Sequence, residues 1–383
     1  MKIGILGSGT MGISIAHFTA KNNCPTVVYD NSKENIKSSK KNLYKLLDKL
    51  NDKGKYTKED IKKIKKNLTF STDIKSLKSS ELIIEAIIEN LDLKKDIFSK
   101  IEKLVDEKCI ISSNTSSLSI TALASSLEKS ERFIGLHFFN PANLMPLVEI
   151  IPAIQTKKII TEKCKKFLEK FGKVVVLAKD TPGFIVNRVA RPFYGEAIRI
   201  YEEGIASIET IDWAMKELGG FRMGPFELMD FIGNDVNYKV TETVFEQFYF
   251  DPRYKPSFSQ KKLMEAGYFG RKSGKGFYDY NSKNQPEVSK NRELGKTIVI
   301  RILSMLINEA ADALYLNIAS KEDIDLAMTK GVNYPKGLLF WADEIGIENI
   351  YKTLESLKDT YNEDRYRPSP IFKTMLNSNK RFY

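Results

Sequence analysis

The chain has 383 residues, 42% of them hydrophobic and 28% charged, with a formal net charge of +11. That size and balance specify a folded protein of two or three domains and argue against wholesale disorder. No apolar run reaches the ~18 residues of a membrane-spanning helix, and Cys24, Cys109 and Cys164 are too scattered for a disulfide framework or a metal site, which excludes a membrane-embedded or zinc-stapled class.

The first segment, 2-KIGILGSGTMG-12, enters a strand pattern directly, without the apolar core and cleavage site of a signal peptide, so a cytoplasmic location is expected. Gly7, Gly9 and Gly12 follow in the spacing G-x-G-x-x-G and lead into the helix-like 13-ISIAHFTAKNN-23. Glycines between a strand and a helix let the backbone approach a pyrophosphate at the positive helix N-terminus, so this loop, with Thr10 and Met11, is the candidate dinucleotide cradle. A second strand, 26-TVVYD-30, ends in Asp30, placed to hydrogen-bond ribose hydroxyls and to repel a 2′-phosphate. That favours NAD over NADP, with Lys33 as the residue that could counter it. His17, within the helix among Ile13, Ala16 and Ala20, reads as structural.

Lysine is concentrated between 33 and 68, where Ile36, Leu43, Leu46, Leu47 and Leu50 recur at helical spacing and a second helix follows around Ile61 and Ile64. No zinc-finger, RNA-recognition or helix-turn-helix pattern accompanies it, so nucleic acid is not an expected partner. Strands 68-LTFST-72, 81-ELIIEAIIEN-90 and 109-CIISSN-114, with a helix over 94–105, continue the alternation of an open, doubly wound parallel sheet. Ligands bind beyond the carboxyl ends of such strands, which here carry Glu85, Glu89 and 113-SNTSS-117. Next, 135-GLHFFNPANLMPLVEI-150 holds His137, one of only two histidines, and Glu149. Alone this is either a tolerated core histidine or a general base with its orienting carboxylate.

The ordered set 113-SNTSSLSIT-121, 135-GLHFFNP-141, 180-DTPGFIVNR-188 and 270-GRKSGKGFYDY-280 resembles the L-3-hydroxyacyl-CoA dehydrogenases over residues 1 to about 281. The resemblance implies a Rossmann-type NAD-binding domain over 1–182, an all-α domain over 183–281, and reversible oxidation of a 3-hydroxyacyl-CoA, short-chain such as 3-hydroxybutyryl-CoA, to the 3-ketoacyl-CoA. Matched residue by residue, it implies His137 as base, Glu149 as its orienting acid, and Ser116 and Asn187 as hydrogen-bond donors to the reacting oxygens. It implies cofactor contacts at Asp30, Glu89, Lys94, Asn114, Ser116 and Asn140, and substrate contacts at Asn42, Lys49, Ser116 and Asn187. For Lys94 the plain alternative is a solvated helix lysine. Pro146 departs from the lysine common in the family and bears on acyl preference. Relatives acting on free hydroxy acids or sugar acids, and a non-catalytic NAD-binding protein, are the alternative readings.

The helical region also repeats. Setting 185-IVNRVARPFYGEAIRIYEEGIASIETIDWAMK-216 over 298-IVIRILSMLINEAADALYLNIASKEDIDLAMT-329 aligns Glu196 with Glu309, Ala206 with Ala319 and Asp212 with Asp325, and 251-DPRYKPS-257 matches 363-EDRYRPS-369. A degenerate second helical module is therefore expected over 293–383, with Ile300 at the position of Asn187, no counterpart of 270-GRKSGKGFYDY-280, and a polar linker at 281–293. The two modules are expected to pack as an intramolecular pseudo-dimer, burying Ile300, Leu303, Leu306, Leu314, Leu339, Phe340 and Trp341.

Overall fold

The computed structural model describes residues 1–282 and 287–383, so the middle of the expected linker, 283–286, lies outside the described residues. Two units result, Met1–Thr181 and Pro182–Tyr383.

The first unit is built on eight strands: β1 (Ile3–Leu6), β2 (Thr26–Tyr29), β3 (Leu68–Ser71), β4 (Leu82–Glu85), β5 (Ile110–Ser113), β6 (Phe133–Phe138), β7 (Leu147–Pro152) and β8 (Val174–Leu177). They lie in the order β3-β2-β1-β4-β5-β6-β7-β8. Strands β1, β4 and β5 are buried along their whole length, as a parallel sheet covered on both faces requires. Its helices are α1 (Thr10–Lys21), α2 (Lys33–Asp52), α3 (Lys58–Lys66), α4 (Leu91–Leu104), α5 (Ile120–Ala124) and α6 (Lys158–Lys170). Several start at side-chain caps: Ser32 accepts from Asn35 N, Asn90 accepts from Leu93 N, and Thr57 with Asp60 forms a reciprocal capping box.

Two expectations need correction. The sheet is not wholly parallel, because β7 runs antiparallel to β6 while β8 runs parallel to β7. The short turn after 135-GLHFFNP-141 leaves no length for the crossover a parallel partner needs. The strand expected over 81–90 ends at Glu85, and the apolar residues beyond it form the loop into α4.

The second unit is helical: α7 (Val186–Val189), α8 (Arg191–Glu202), α9 (Ile208–Trp213), α10 (Pro225–Ile232), α11 (Asn234–Gln247), α12 (Phe258–Glu265), α13 (Arg292–Tyr315), α14 (Lys321–Gly331), α15 (Leu338–Ile345), α16 (Ile347–Tyr361) and α17 (Pro370–Ser378). Helix α13 is buried around most of its circumference, from Ile298 to Ala313, as befits a central helix. Among the buried ion pairs that cross this unit, two mirror one another. Arg188 Nε donates to Glu309 Oε1 at 2.5 Å, and Tyr254 Oη donates to the same oxygen at 2.6 Å. Arg301 Nε donates to Glu196 Oε1 at 2.7 Å, where Tyr366 Oη also donates at 2.7 Å. Each arginine, glutamate and tyrosine of the first set aligns with its like in the second, with donor and acceptor segments exchanged.

Other contacts recur in the same way. Asp212 accepts from the backbone N–H of Phe226 and Glu227 and from Tyr278 Oη; Asp325 accepts from Leu339, Phe340 and Tyr383 Oη. Asp230 accepts from the N–H of Phe277 and Tyr278, and Asp343 from those of Phe382 and Tyr383. The expectation that the second stretch lacks any counterpart of 270-GRKSGKGFYDY-280 needs correction at two residues: Phe382 and Tyr383 make the contacts that Phe277 and Tyr278 make with their aspartates. The segment leading to them is shorter, so no constant offset reveals the match. Leu303, Leu306 and Leu339 are buried, whereas Phe340 is 47% exposed, its ring in a T-shaped contact with Tyr383 at 6.2 Å between centroids. Ile300, Leu314 and Trp341 are half-buried.

Candidate active site

The glycine loop joins β1 to α1. Gly7 has φ +99°, and a Cβ there would lie 2.6 Å from the Ala86 carbonyl oxygen; a Cβ on Gly12 would lie 2.0 Å from that of Gly7. Both positions therefore exclude side chains on steric grounds. Gly9 differs, since a Cβ there would meet nothing within 4 Å. Its bare backbone opens onto space above the start of α1, which has no side-chain cap and no acid in its first turn. Unsatisfied N–H groups, the positive helix end and the room above Gly9 together fit a dinucleotide pyrophosphate.

Asp30 follows β2. Its Oδ2 accepts from Ser8 N at 2.9 Å and Ser8 Oγ at 2.8 Å, and its Oδ1 from Ser32 N at 3.0 Å. Burial acts to raise its pKa, but these hydrogen bonds outweigh it and hold the carboxyl below the usual range. Asp30 is thus ionised beside the loop. A cleft of about 430 Å³ opens here, lined among others by Gly9, Thr10, Ser14, Asn42, Asn140 and Asn143. Met11 is half-buried against the core of this unit. Lys49, two turns along α2 from Asn42, is exposed and does not line the cleft. His17 is buried and hydrogen-bonds Tyr56 Oη at 3.1 Å; burial, with repulsion from Lys21, lowers its pKa to about 4, so it stays neutral.

Beyond the ends of β4 and β5 a second cluster forms. Lys94 is not solvated: it is 1% exposed and pairs with Glu85 at 2.5 Å and Glu89 at 3.1 Å. Glu89 accepts from Thr115 Oγ1, from Ser116 N at 3.2 Å and from Ser117 Oγ at 3.1 Å. Burial works against its charge, yet Lys94 and these donors keep its pKa below the ordinary value. Glu85 is buried completely, and burial pushes its pKa up against the pull of Lys94. The cluster fixes the loop that carries Ser116, while Asn114 Oδ1 accepts from Phe138 N at 2.8 Å and ties that loop to β6.

His137 stands directly opposite Glu149 in the β6–β7 ladder. The two side chains meet at 2.6 Å, Nδ1 to Oε2, with Glu149 fully buried and His137 6% exposed. Because a carboxylate only accepts, this contact assigns a proton to Nδ1, which leaves Nε2 as the ring nitrogen that can exchange a proton with a substrate, the tautomer a general base needs. Asn187 belongs to the other unit, on α7, where its carbonyl accepts from Arg191 Nε at 2.9 Å. Sequence reasoning passed over Ser14, Thr115 and Lys173; a lone lysine leading the apolar strand 174-VVVL-177 was the available signal for the last.

A family model described as the NAD binding domain of 3-hydroxyacyl-CoA dehydrogenase matches residues 2–181, and one described as its C-terminal domain matches residues 183–280 and 298–381. The chain is 34% identical to a curated 3-hydroxyadipyl-CoA dehydrogenase of Escherichia coli K12, over 97% of this chain and 96% of that one. The solved structure of a 3-hydroxybutyryl-CoA dehydrogenase from Escherichia coli K12 superposes with a TM-score of 0.94 at 33% identity, covering 99% of both chains. An (S)-3-hydroxybutyryl-CoA dehydrogenase structure from Ralstonia eutropha gives a TM-score of 0.70 at 39% identity, covering 73% of this chain and 99% of that one.

Proposed function

The chain belongs to the 3-hydroxyacyl-CoA dehydrogenase family, with NAD as its cofactor, and on that premise we propose that it reversibly oxidises a short-chain L-3-hydroxyacyl-CoA, such as 3-hydroxybutyryl-CoA, to the 3-ketoacyl-CoA. NAD supplies the hydride acceptor. His137 takes the proton of the C3 hydroxyl through Nε2, and Glu149 holds the ring in the required tautomer and stabilises the imidazolium that forms. Ser116 and Asn187 donate hydrogen bonds to the oxygens whose charge changes. Asn42 and Lys49 serve the CoA nucleotide, where lysines complement phosphate charge. Glu89 and Lys94 act by fixing the 113–117 loop, and Asn114 and Asn140 border the cofactor.

The observation that carries this reading is the buried 2.6 Å contact between His137 and Glu149, since a protein that only bound a dinucleotide has no use for a proton acceptor so oriented. Mixing the protein with NADH and acetoacetyl-CoA should consume NADH; NADH binding without consumption would favour the non-catalytic reading, and turnover of free acetoacetate alone the free-acid reading. The related enzymes bear two substrate names, one with a terminal carboxylate and one without. A series of 3-ketoacyl-CoA substrates should give its highest kcat/KM with the four-carbon acyl group, and a higher value with the dicarboxylic chain would overturn the short-chain assignment.

NADH should be preferred over NADPH because Asp30 is charged beside the loop. Asp30→Ser should narrow the ratio of kcat/KM values by about tenfold, equivalent to about 1.4 kcal/mol of relieved repulsion. Equal use of both cofactors by the wild type would mean that the exposed Lys33 compensates.

The reading extends to the helical unit, which we take as an active module over 183–281 and a degenerate copy over 293–383, packed as an intramolecular pseudo-dimer. Support comes from the double match of one family model and from the exchanged Arg188–Glu309 and Arg301–Glu196 pairs. Ile300 in place of Asn187 deprives the copy of the donor, so its role is packing. A cytoplasmic setting accords with three buried free thiols. Among the described residues no helix is long and apolar enough to cross a membrane.

A further inference from the structure

We propose that Lys173 is a positioning residue for the reaction: its ammonium, together with Ser14, fixes the turn over 142–145 that sets Asn140 and Asn143 against the dinucleotide cleft. The proposal rests on the cofactor reading given above. Lys173 leads into β8 and is 8% exposed. Its Nζ donates to the carbonyl oxygens of Ala142 and, at 2.6 Å, Met145. It also stands 4.5 Å from the centroid of the Phe18 ring. From the other side Ser14 Oγ accepts from Ala142 N at 2.7 Å and donates to Asn143 Oδ1 at 3.4 Å.

Ser14 and Phe18 are one turn apart on α1 and so share a helix face. One helix therefore carries the glycine loop at its start and, a turn later, both groups that engage the turn and its lysine. The same turn joins β6, with His137, to β7, with Glu149. The clamp links the cofactor loop to the base through contacts within one unit.

The choice of a lysine needs a reason, because a buried cation is costly and an apolar side chain would pack beside Phe18. Among the described residues no carboxylate pairs with Lys173; α1 contributes Lys21 and the residues before β8 contribute Lys170, whose ammonium stands over Phe171. The charge is answered by two carbonyls and a ring. What the ammonium provides is a set of diverging strong donors that reach both ends of a turn at once. Burial, with repulsion from Lys21, pulls the Lys173 pKa down to about 8. The charged clamp is therefore present below that pH and weakens above it.

Two measurements test this. In the ligand-free protein, hydrogen exchange of a peptide spanning 139–147 should quicken in Lys173→Met and stay near wild type in Lys173→Arg at neutral pH. In titrations followed by NADH fluorescence from pH ~7 to ~9.5, wild-type affinity should fall through about 8. Lys173→Met should bind roughly tenfold more weakly at neutral pH, as expected for losing charged hydrogen bonds, with no such inflection. Lys173→Arg should retain affinity across the range, because a guanidinium keeps its charge. Steady-state kinetics should show KM for NADH rising more than kcat falls. Unchanged exchange in Lys173→Met, or wild-type NADH affinity in that variant at neutral pH, would overturn the proposal. A wild-type chain that fails to bind NADH would instead defeat the cofactor reading, and the exchange result would still decide whether the clamp exists.

Discussion

His137→Ala should lower kcat by about 10²–10⁴, the usual value of a general base, while leaving NADH affinity nearly unchanged. The separation follows from the fold. His137 sits near the end of β6, whereas the pyrophosphate cradle is the bend between β1 and α1, a different part of the sheet. Steady-state rates with acetoacetyl-CoA, set beside NADH titrations of the same preparation, give both quantities. A variant that kept more than about a third of wild-type kcat would remove the assignment, since losing a general base is far more damaging. Glu149→Gln should act on the same parameter but less severely, because the amide oxygen can still accept from Nδ1 while the imidazolium loses its counter-charge. An effect confined to KM would make Glu149 a substrate-positioning group instead.

How much of this was legible in the sequence differs from feature to feature, for physical reasons. The glycine loop and Asp30 could be read because their chemistry is local: strand, tight turn and helix start occupy consecutive residues, and steric exclusion at Gly7 and Gly12 forces the letter. The His137–Glu149 pair was suggested by resemblance to a family, not by spacing, because twelve residues fit a hairpin, a crossover or two unrelated loops equally well. Only the ladder places the two opposite one another. Strand direction was illegible for a related reason: β6, β7 and β8 are apolar runs like the others, and polarity is set by the turns between them.

Lys94 shows the limit most plainly. It lies in 91-LDLKKDIFSKIEKL-104 next to Lys95, and nothing local separates the two. Their fates diverge because one points at Glu85, which lies on β4 rather than on their own helix. Lys173 escaped for the same reason, since the carbonyls it holds are 28 and 31 residues away. The C-terminal 380-KRFY-383 escaped because a shortened segment shifted its register against 275-KGFY-278, although Asp230 and Asp343 receive the same pair of N–H donors in each case.

Breaking the exchanged ion pairs should have the largest effect on stability. Glu309 is fully enclosed; burial opposes its charge, but Arg188, Arg253 and the Tyr254 hydroxyl hold its pKa below the ordinary value. Glu309→Ala leaves two guanidiniums and a phenol turned toward the vacated space, with Asp312 still paired to Arg188 and Arg253 and the Arg367 carbonyl still accepting from Arg253. Stranding one partner of a buried pair costs about 3–5 kcal/mol, enough to unfold a marginal domain. Glu309→Gln should be milder, because the amide oxygen still accepts from Tyr254 while the charge is lost. Deleting residues 293–383 goes further: it removes Glu309 from Arg188 and Arg301 from Glu196, and it uncovers the face of α8 that packs on α13. A module with such a face exposed should aggregate or pair with a second copy, since the attached partner that covered it at high effective concentration is gone. Light scattering after size exclusion should therefore show dimers or larger species, with activity reduced although His137, Glu149, Ser116 and Asn187 are all retained. A truncated chain that stayed monomeric, soluble and fully active would show that residues 293–383 do not complete the first module, and the pseudo-dimer reading would fall with it.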